Sequence, residues 1–339
     1  MAENTMLAVV KEKSEPGVKL KQVPVPVAKD GEVLVKVKTA SICGTDVGIY
    51  DWNIWAQQHI KPPIVIGHEI VGEVIEVKGE NPKGLKKGDL VSSETHIFCG
   101  HCHQCKIGNR HICENIKLFG IDRNGSFAEY TTIPTITTWK NDTRIPLDAM
   151  SSQEPFGNAV HVVSEADVKD KTVLVMGLGP TGLCAVAAAK AFGAAKVIGI
   201  NRREYRRNLA KEMGADEVYD EVPKDYFGAA EVVLEMSGNE EAIKTAFEAV
   251  AISGTVVIFG IPKKEITLDF GKYLIDRQLT VKGIFGRRIW ETWEKVSELL
   301  VNGKVDLTKI VTHRFPLSDF EKAMEVMKSG ECGKILILP

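Results

Sequence analysis

The chain has no excess of either charge: 43 Lys and Arg face 45 Asp and Glu over 339 residues, a formal net of −2. That removes the electrostatic case for nucleic acid or an anionic membrane as partner. No stretch approaches the roughly 18 apolar residues of a membrane span. Met1 to Val10 lacks the basic start and apolar run of a secretory signal. The expectation is a cytoplasmic protein with no membrane or nucleic-acid partner. Internal repeats and low-complexity segments are absent. Hydrophobic content of 44% and charged content of 26% fit an ordinary globular protein, and the length admits two domains.

Cysteine is scarce, seven in all, yet Cys99, Cys102, Cys105 and Cys113 are spaced C-x2-C-x2-C-x7-C in a loop punctuated by Gly100 and Gly108. Thiolates at this density can surround a tetrahedral Zn²⁺, and a closed four-sulfur site is structural because no position is left for substrate. A ferredoxin-type cluster also begins C-x2-C-x2-C, but its fourth cysteine follows four residues later and precedes a proline. Here Cys113 comes eight residues after Cys105 and precedes Glu114. Disulfides are disfavoured without a secretory context.

Two textures lie along the chain. The first 150 residues hold short alternating runs such as Glu32–Lys38 and Ile70–Val77, broken by Gly, Pro and Asp. These read as half-buried strands of an irregular, barrel-like β domain. From about residue 170 strands and helices alternate: Thr172–Met176, alanine-rich Leu183–Phe192, Lys196–Ile200, Glu204–Met213, then Glu231–Glu235 and Thr255–Phe259 around a helix. That alternation predicts a doubly wound parallel sheet. The domains expected are 1–153, containing the zinc loop at 94–115; 154–288, for the dinucleotide; and 289–339, a segment whose last strand, Lys334–Leu338, rejoins the first domain.

Gly177-Leu-Gly-Pro-Thr-Gly182 follows a predicted strand and opens a predicted helix. In that context G-x-G-x-x-G has a mechanism. Gly177 permits the turn, Gly179 lets the backbone approach a pyrophosphate, and Gly182 allows close helix–strand packing. An acid should end the second strand if a ribose 2′-OH is bound there. Asn201-Arg202-Arg203 stands instead, and guanidinium suits a phosphate dianion. This favours NADP(H) over NAD(H). The bland alternative is a solvated surface turn.

A second metal constellation joins Cys43, in Ser41-Ile-Cys-Gly-Thr-Asp46, to His68 and Glu69, in Gly67-His-Glu-Ile-Val-Gly72. Thiolate, imidazole and carboxylate suit a Zn²⁺ with one position open for chemistry. Glu154, where the two textures meet, is a further candidate ligand. Zinc beside a nicotinamide implies alcohol oxidation or carbonyl reduction.

The segments Ile42–Asp46, Trp52–Ala56, Gly67–Glu69, Glu94–Ile97, Glu154–His161, Trp290–Trp293 and Ile310–Phe315 together resemble the zinc-dependent medium-chain alcohol dehydrogenases over the whole chain. Within that family they most resemble the branch that oxidises the β-hydroxyl of L-threonine to L-2-amino-3-ketobutyrate. The resemblance implies a GroES-like catalytic β-barrel beside a Rossmann domain, two zinc ions per chain, a nicotinamide cofactor (usually NAD) and a homotetramer. It implies Cys43, His68 and Glu69 as catalytic zinc ligands, with Glu154 an acid engaged in ligand exchange or proton transfer. It implies Thr45 as the start of a proton relay and His96 as a pocket residue. Thr181, Asn201, Arg206, Phe259, Gly260, Ile261, Ile284 and Phe285 fall where the family contacts the dinucleotide. The chain departs from the pattern at Gly48, where a second relay residue, a histidine, is usual, and at the Asn201 turn. Both departures also suit an NADP-preferring dehydrogenase of a polyol, diol or sugar. A non-catalytic nucleotide-binding scaffold is the third reading, and the intact metal constellation weighs against it.

Overall fold

In the computed structural model, which describes residues 4–339, the strand Glu32–Ser41 buries Val33, Val35 and Val37 in alternation and then runs fully buried from Thr39 to Ser41. Alternation is what a strand half-covered by a core needs. The continuous burial at its end marks where it enters a polar interior. Glu69–Lys78 pairs with it antiparallel, Ser41 facing Glu69. Outward on that side follow Leu90–Ser93 and Thr138–Lys140, and on the other side Lys334–Leu338 and Val311–Pro316. Tyr130–Pro134 also pairs with Glu32–Ser41. A smaller sheet holds Lys19–Pro24, Thr5–Lys11 and Ile64–Val65 in that order.

The last strand enters this sheet with Leu336 opposite Ser41 and Ile337 opposite Ala40. It brings the helix Phe320–Ser329, whose Phe320, Ala323, Met324 and Met327 join the same core as Val33, Ile66 and Phe127. Phe320 and Phe127 meet as tilted rings, 4.9 Å between centroids, an arrangement worth about 0.5–1.5 kcal/mol beyond burial.

The chain folds as two units: residues up to Glu154 with Val311–Pro339, and Pro155–Ile310. Segment 289–310 therefore stays with the second unit instead of leaving with the returning C-terminus. The reason is packing. The helix Glu291–Val301 buries Trp293, Val296, Leu299 and Leu300, and Leu307–Ile310 lies against the helices Pro180–Ala191 and Glu204–Glu212.

The second unit is a six-stranded parallel sheet. Its order is Glu217–Tyr219, Lys196–Ile200, Thr172–Met176, Ala230–Glu235, Val250–Ile258, Thr280–Gly283. Numbered along the chain this is 3-2-1-4-5-6, with the order reversing between the first and fourth strands, where such sheets bind ligands. Glu154, Asn158, His161 and Glu165 recur at helical spacing along Gln153–Ala166. The last three of these hold the segment 282–288: Asn158 takes Arg287 at 2.8 Å, His161 Nδ1 meets the Gly286 carbonyl at 2.9 Å, and Glu165 takes Arg288 at 2.8 Å.

Phe320→Ala is expected to cost about 3–5 kcal/mol, as buried Phe truncations do. Phe227→Ala, at a residue 45% exposed, should stay within about 0.5 kcal/mol. Urea unfolding of the two variants checks this; equal midpoints would contradict the role given to the returning segment.

Candidate metal centres and nucleotide site

Pairing Ser41 with Glu69 sets the residues just beyond each, Cys43 and His68, side by side. One donor atom each from Cys43, His68 and Glu69 lies within 4.8 Å of the others. Behind them, Asp46 is fully buried, accepts from the Cys43 N–H at 2.8 Å and places Oδ1 3.7 Å from His68 Nδ1. Glu69 Oε2 accepts from Ser41 Oγ and from Lys334 Nζ. Glu69 Oε1 and His68 Nδ1 are buried without a hydrogen-bond partner, a costly arrangement unless something else satisfies them.

The electrostatics point the same way. Burial alone would lower the pKa of His68, but Asp46, Cys43 and Glu154 outweigh it and raise it to about 10. Burial pushes Asp46 up to about 6. The pocket thus holds more carboxylate and thiol than Lys334 can balance, and a dication bound by thiolate, imidazole and carboxylate would supply the missing charge. An imidazole whose second nitrogen faces a carboxylate is the usual support for such a ligand.

Glu154 is not one of the three converging donors. It is buried, accepts from Thr95 Oγ1 at 2.8 Å and acts on His68 through space. Thr45 Oγ1 is 3.8 Å from Cys43 Sγ. His96 is buried, with Nδ1 2.8 Å from Glu94 Oε1. At Gly48 a Cβ would lie 2.7 Å from Asn53 Nδ2. Asn53 thus fills the volume a residue-48 side chain needs, while its Oδ1 caps the helix Ile54–His59 through the Ala56 N–H. Position 48 is therefore not merely short of a side chain; Asn53 occupies the space one would need.

The four cysteines of the loop also converge within 4.8 Å, three of them buried. Cys102 and Cys113 sulfurs are 3.8 Å apart, far beyond a disulfide. A tetrahedron with bonds of about 2.3 Å to sulfur has edges of about 3.8 Å, so the spacing fits a zinc-sized cation. Backbone N–H groups of Cys99, Cys102 and Asn115 point at these sulfurs. Hydrogen bonds, that from the His101 backbone foremost, lower Cys99 to about 6, whereas burial and Cys102 push Cys105 to about 12. Four thiols in one small lobe cannot all ionise without a cation to share.

In the second unit Gly177 has φ +95°, in the region L side chains avoid, and a Cβ on Gly182 would stand 1.9 Å from the Gly177 carbonyl oxygen. Both glycines are thus required by contact. The turn opens the helix Pro180–Ala191, with Pro180 in its first turn and Thr181 half-buried beside it, and its amide end is a ready anion site. Arg206 Nη1 reaches within 3.5 Å of the Cβ position of Gly179. Asn201 Oδ1 accepts from the Arg203 N–H at 2.9 Å, and Arg207 Nη1 donates to the Asn201 and Arg202 carbonyls at 2.8 Å each. That brace leaves the Arg202 and Arg203 side chains exposed. The Phe259 N–H and Gly260 N–H donate to the Glu235 carbonyl, and the Ile284 N–H to the Ile258 carbonyl. Ile261 and Phe285 are left 70% and 46% exposed at the end of the sheet.

Sequence reasoning missed the supports. Glu235 is fully buried, its carboxylate taking the Ser237 hydroxyl and the Ser237 and Gly238 N–H groups, and burial raises its pKa. The only signal was an acid ending an apolar strand. Lys334, a lysine opening the apolar strand Lys334–Leu338, was the equivalent hint in the first unit. Asp46 stood inside the Cys43 motif with no role assigned.

Residues 29–143 match the model of the alcohol dehydrogenase GroES-like domain, and residues 180–302 that of the zinc-binding dehydrogenases. The chain belongs to the zinc-binding alcohol dehydrogenase family. Among curated relatives, it is 45% identical to the L-threonine 3-dehydrogenase of Caldanaerobacter subterraneus subsp. tengcongensis, over 99% of this chain and 100% of that one. It is 44% identical to the L-threonine 3-dehydrogenase of Pyrococcus furiosus over 98% of each. Among solved structures, a zinc-binding dehydrogenase from Sinorhizobium meliloti bound to NADP superposes with a TM-score of 0.90 at 26% identity, covering 99% of both chains. The 2R,3R-butanediol dehydrogenase of Bacillus subtilis does so at 0.88 and 26%, over 98% of this chain and 99% of that one.

Gly48→His should fail to rebuild a relay. It displaces Asn53 and so removes the helix cap, a loss of about 1 kcal/mol. Gly48→His/Asn53→Gly frees the volume and should recover turnover relative to Gly48→His. Melting temperature and kcat of the two variants check this.

Proposed function

We propose that the protein oxidises the secondary alcohol of L-threonine to L-2-amino-3-ketobutyrate, passing hydride to NAD(P)⁺ and a proton to solvent. The observation that carries this is the convergence of Cys43, His68 and Glu69 donors in a pocket short of positive charge. Near-half identity over the whole chain to L-threonine 3-dehydrogenases supports the substrate. Cys43, His68 and Glu69 hold one zinc, and Cys99, Cys102, Cys105 and Cys113 a second, structural one. Zinc held by Cys43, His68 and Glu69 would make an alcohol hydroxyl acidic near neutral pH, and a nicotinamide held through the Gly177 turn would supply hydride acceptance. Thr45 takes the hydroxyl proton. Glu154, tied to Thr95, holds or releases a proton beside His68. With Asn53 in the place of a relay side chain at 48, the proton leaves through water. His96 lines the substrate pocket.

The cofactor is NADP in preference to NAD. The support is the exposed pair Arg202 and Arg203 on a turn with no acid, where Asn201 spends its oxygen on the Arg203 N–H. The second reading, an NADP-preferring dehydrogenase of a polyol, diol or sugar, is favoured by Gly48 and by the likeness to 2R,3R-butanediol dehydrogenase. The protein works in the cytoplasm as a homotetramer. In support of the tetramer, the edge strand Thr280–Gly283 leaves Val281 exposed, and Ile252 and Ile275, near either end of the Ser253–Arg277 backbone bond, are exposed as well.

Reduction of NADP⁺ and NAD⁺ by purified protein with L-threonine, 2,3-butanediol, sorbitol and glucose tests the function. A rate on a diol or polyol well above that on L-threonine establishes the second reading instead. Elemental analysis should find two zinc per chain. Cys43→Ala should keep one, abolish turnover and still bind dinucleotide, whereas Cys105→Ser should lower the melting temperature first, since metal binding is coupled to folding.

Asn201→Asp with Arg202→Ala and Arg203→Ala should move the ratio of kcat/KM values toward NAD. Hydrogen bonds to charged groups contribute roughly 1.5–3 kcal/mol each, so the shift should be tens- to hundreds-fold. An unmodified protein that already prefers NAD strongly sinks this assignment.

A further inference from the structure

Lys334 is fully buried, five residues from the end of the chain, and takes no part in the steps above. Its Nζ donates to Glu69 Oε2 and, at 3.1 Å, to the Ile42 carbonyl. Ser41 Oγ donates to the same Oε2. The other oxygen, Oε1, has no hydrogen-bond partner and belongs to the carboxylate that converges with Cys43 and His68. The two oxygens are thus divided: one is spoken for by protein and the other is left over.

A buried lysine is expensive to keep unless paired, and a buried carboxylate with two free oxygens can bind a cation through one or both. We infer that Lys334 and Ser41 are positioning residues for the catalytic metal: they hold Glu69 by Oε2 so that Oε1 alone is offered as a single, pre-aimed ligand. This rests on reading Glu69 as a metal ligand. Lys334 arrives with the last strand, whose register sets Leu336 against Ser41. The metal site is therefore complete only when the strand Lys334–Leu338 has docked, and its affinity depends on a residue 265 positions from the ligand it orients.

The test measures metal rather than turnover. Zinc affinity at the Cys43 site is obtained by chelator competition on the whole protein, and the site geometry by the visible spectrum after Co²⁺ exchange. Removing an outer partner of a metal ligand typically costs 10–100-fold in affinity, so Lys334→Met should weaken zinc by about that factor and change the Co²⁺ spectrum. Ser41→Ala, a milder change that tests the same oxygen should Lys334→Met fold poorly, should weaken zinc by a smaller factor. Lys11→Met is the control. Lys11 is equally buried in the same unit, but its ammonium binds the carbonyls of Glu15, Gly17 and Tyr50, so its loss should leave affinity and spectrum unchanged. Unchanged affinity in both Lys334→Met and Ser41→Ala, or an equal loss in Lys11→Met, overturns the inference. A wild-type protein that binds no metal beyond the four-cysteine site overturns instead the reading of Glu69 on which it stands.

Discussion

The register between Glu32–Ser41 and Glu69–Lys78 is the constraint on which the first unit depends. Side chains alternate along a strand, so a slip of one residue would turn the buried valines outward and carry Glu69 to the wrong face. Because Ser41 faces Glu69, the thiol of Cys43 arrives beside the imidazole of His68 with no long-range search. The hydrophobic alternation that makes the sheet stable thus also assembles a polar cluster that an apolar core would reject. The cost of burying Asp46, Glu69 and Glu154 together is offset in part by Lys334 and by hydrogen bonds from Ser41 and Thr95, and a dication, which such a donor set suits, would offset more.

The second unit solves a different problem. Its glycine turn leaves backbone amides uncovered at a helix end, which requires removing side chains. Gly177 and Gly182 meet that need by contact distance, and Glu235 holds the neighbouring turn through three donors. The helix that follows is almost wholly buried alanine, leucine and valine. A single unit could hardly favour both a charge-rich metal pocket and a dry, close-packed glycine turn, and the chain devotes one unit to each.

Much of this was readable along the chain because it is local. The alternation of strands and helices after residue 170 forced a parallel sheet, and the cysteine spacing set four sulfurs within a short loop where they could only converge. The place of segment 289–310, which the structure puts in the second unit and not with the returning strand, is illegible for the opposite reason. Nothing local says which sheet an amphipathic helix will cover, and only the burial of Trp293 and Leu307 tied it to the second unit. A position between two textures makes Glu154 a candidate ligand; that its carboxylate accepts from Thr95, a partner 59 residues away, is something no spacing rule could supply.

By itself the sequence determined the fold class, the two donor sets and the glycine turn, since each follows from residue types at short separations acting through backbone geometry. Tertiary structure alone decided how those donors are held: Lys334 on Glu69, Asp46 behind His68, Asn53 in the space above Gly48, Arg206 over Gly179. Lys334 meets Glu69 only because the last strand enters a sheet built by the first part of the chain. In the other three, separations of 5 to 27 residues are closed by a helix turn or a sheet crossing. Burial then gives each contact its strength, because a charge or amide removed from water must find its partner within the fold.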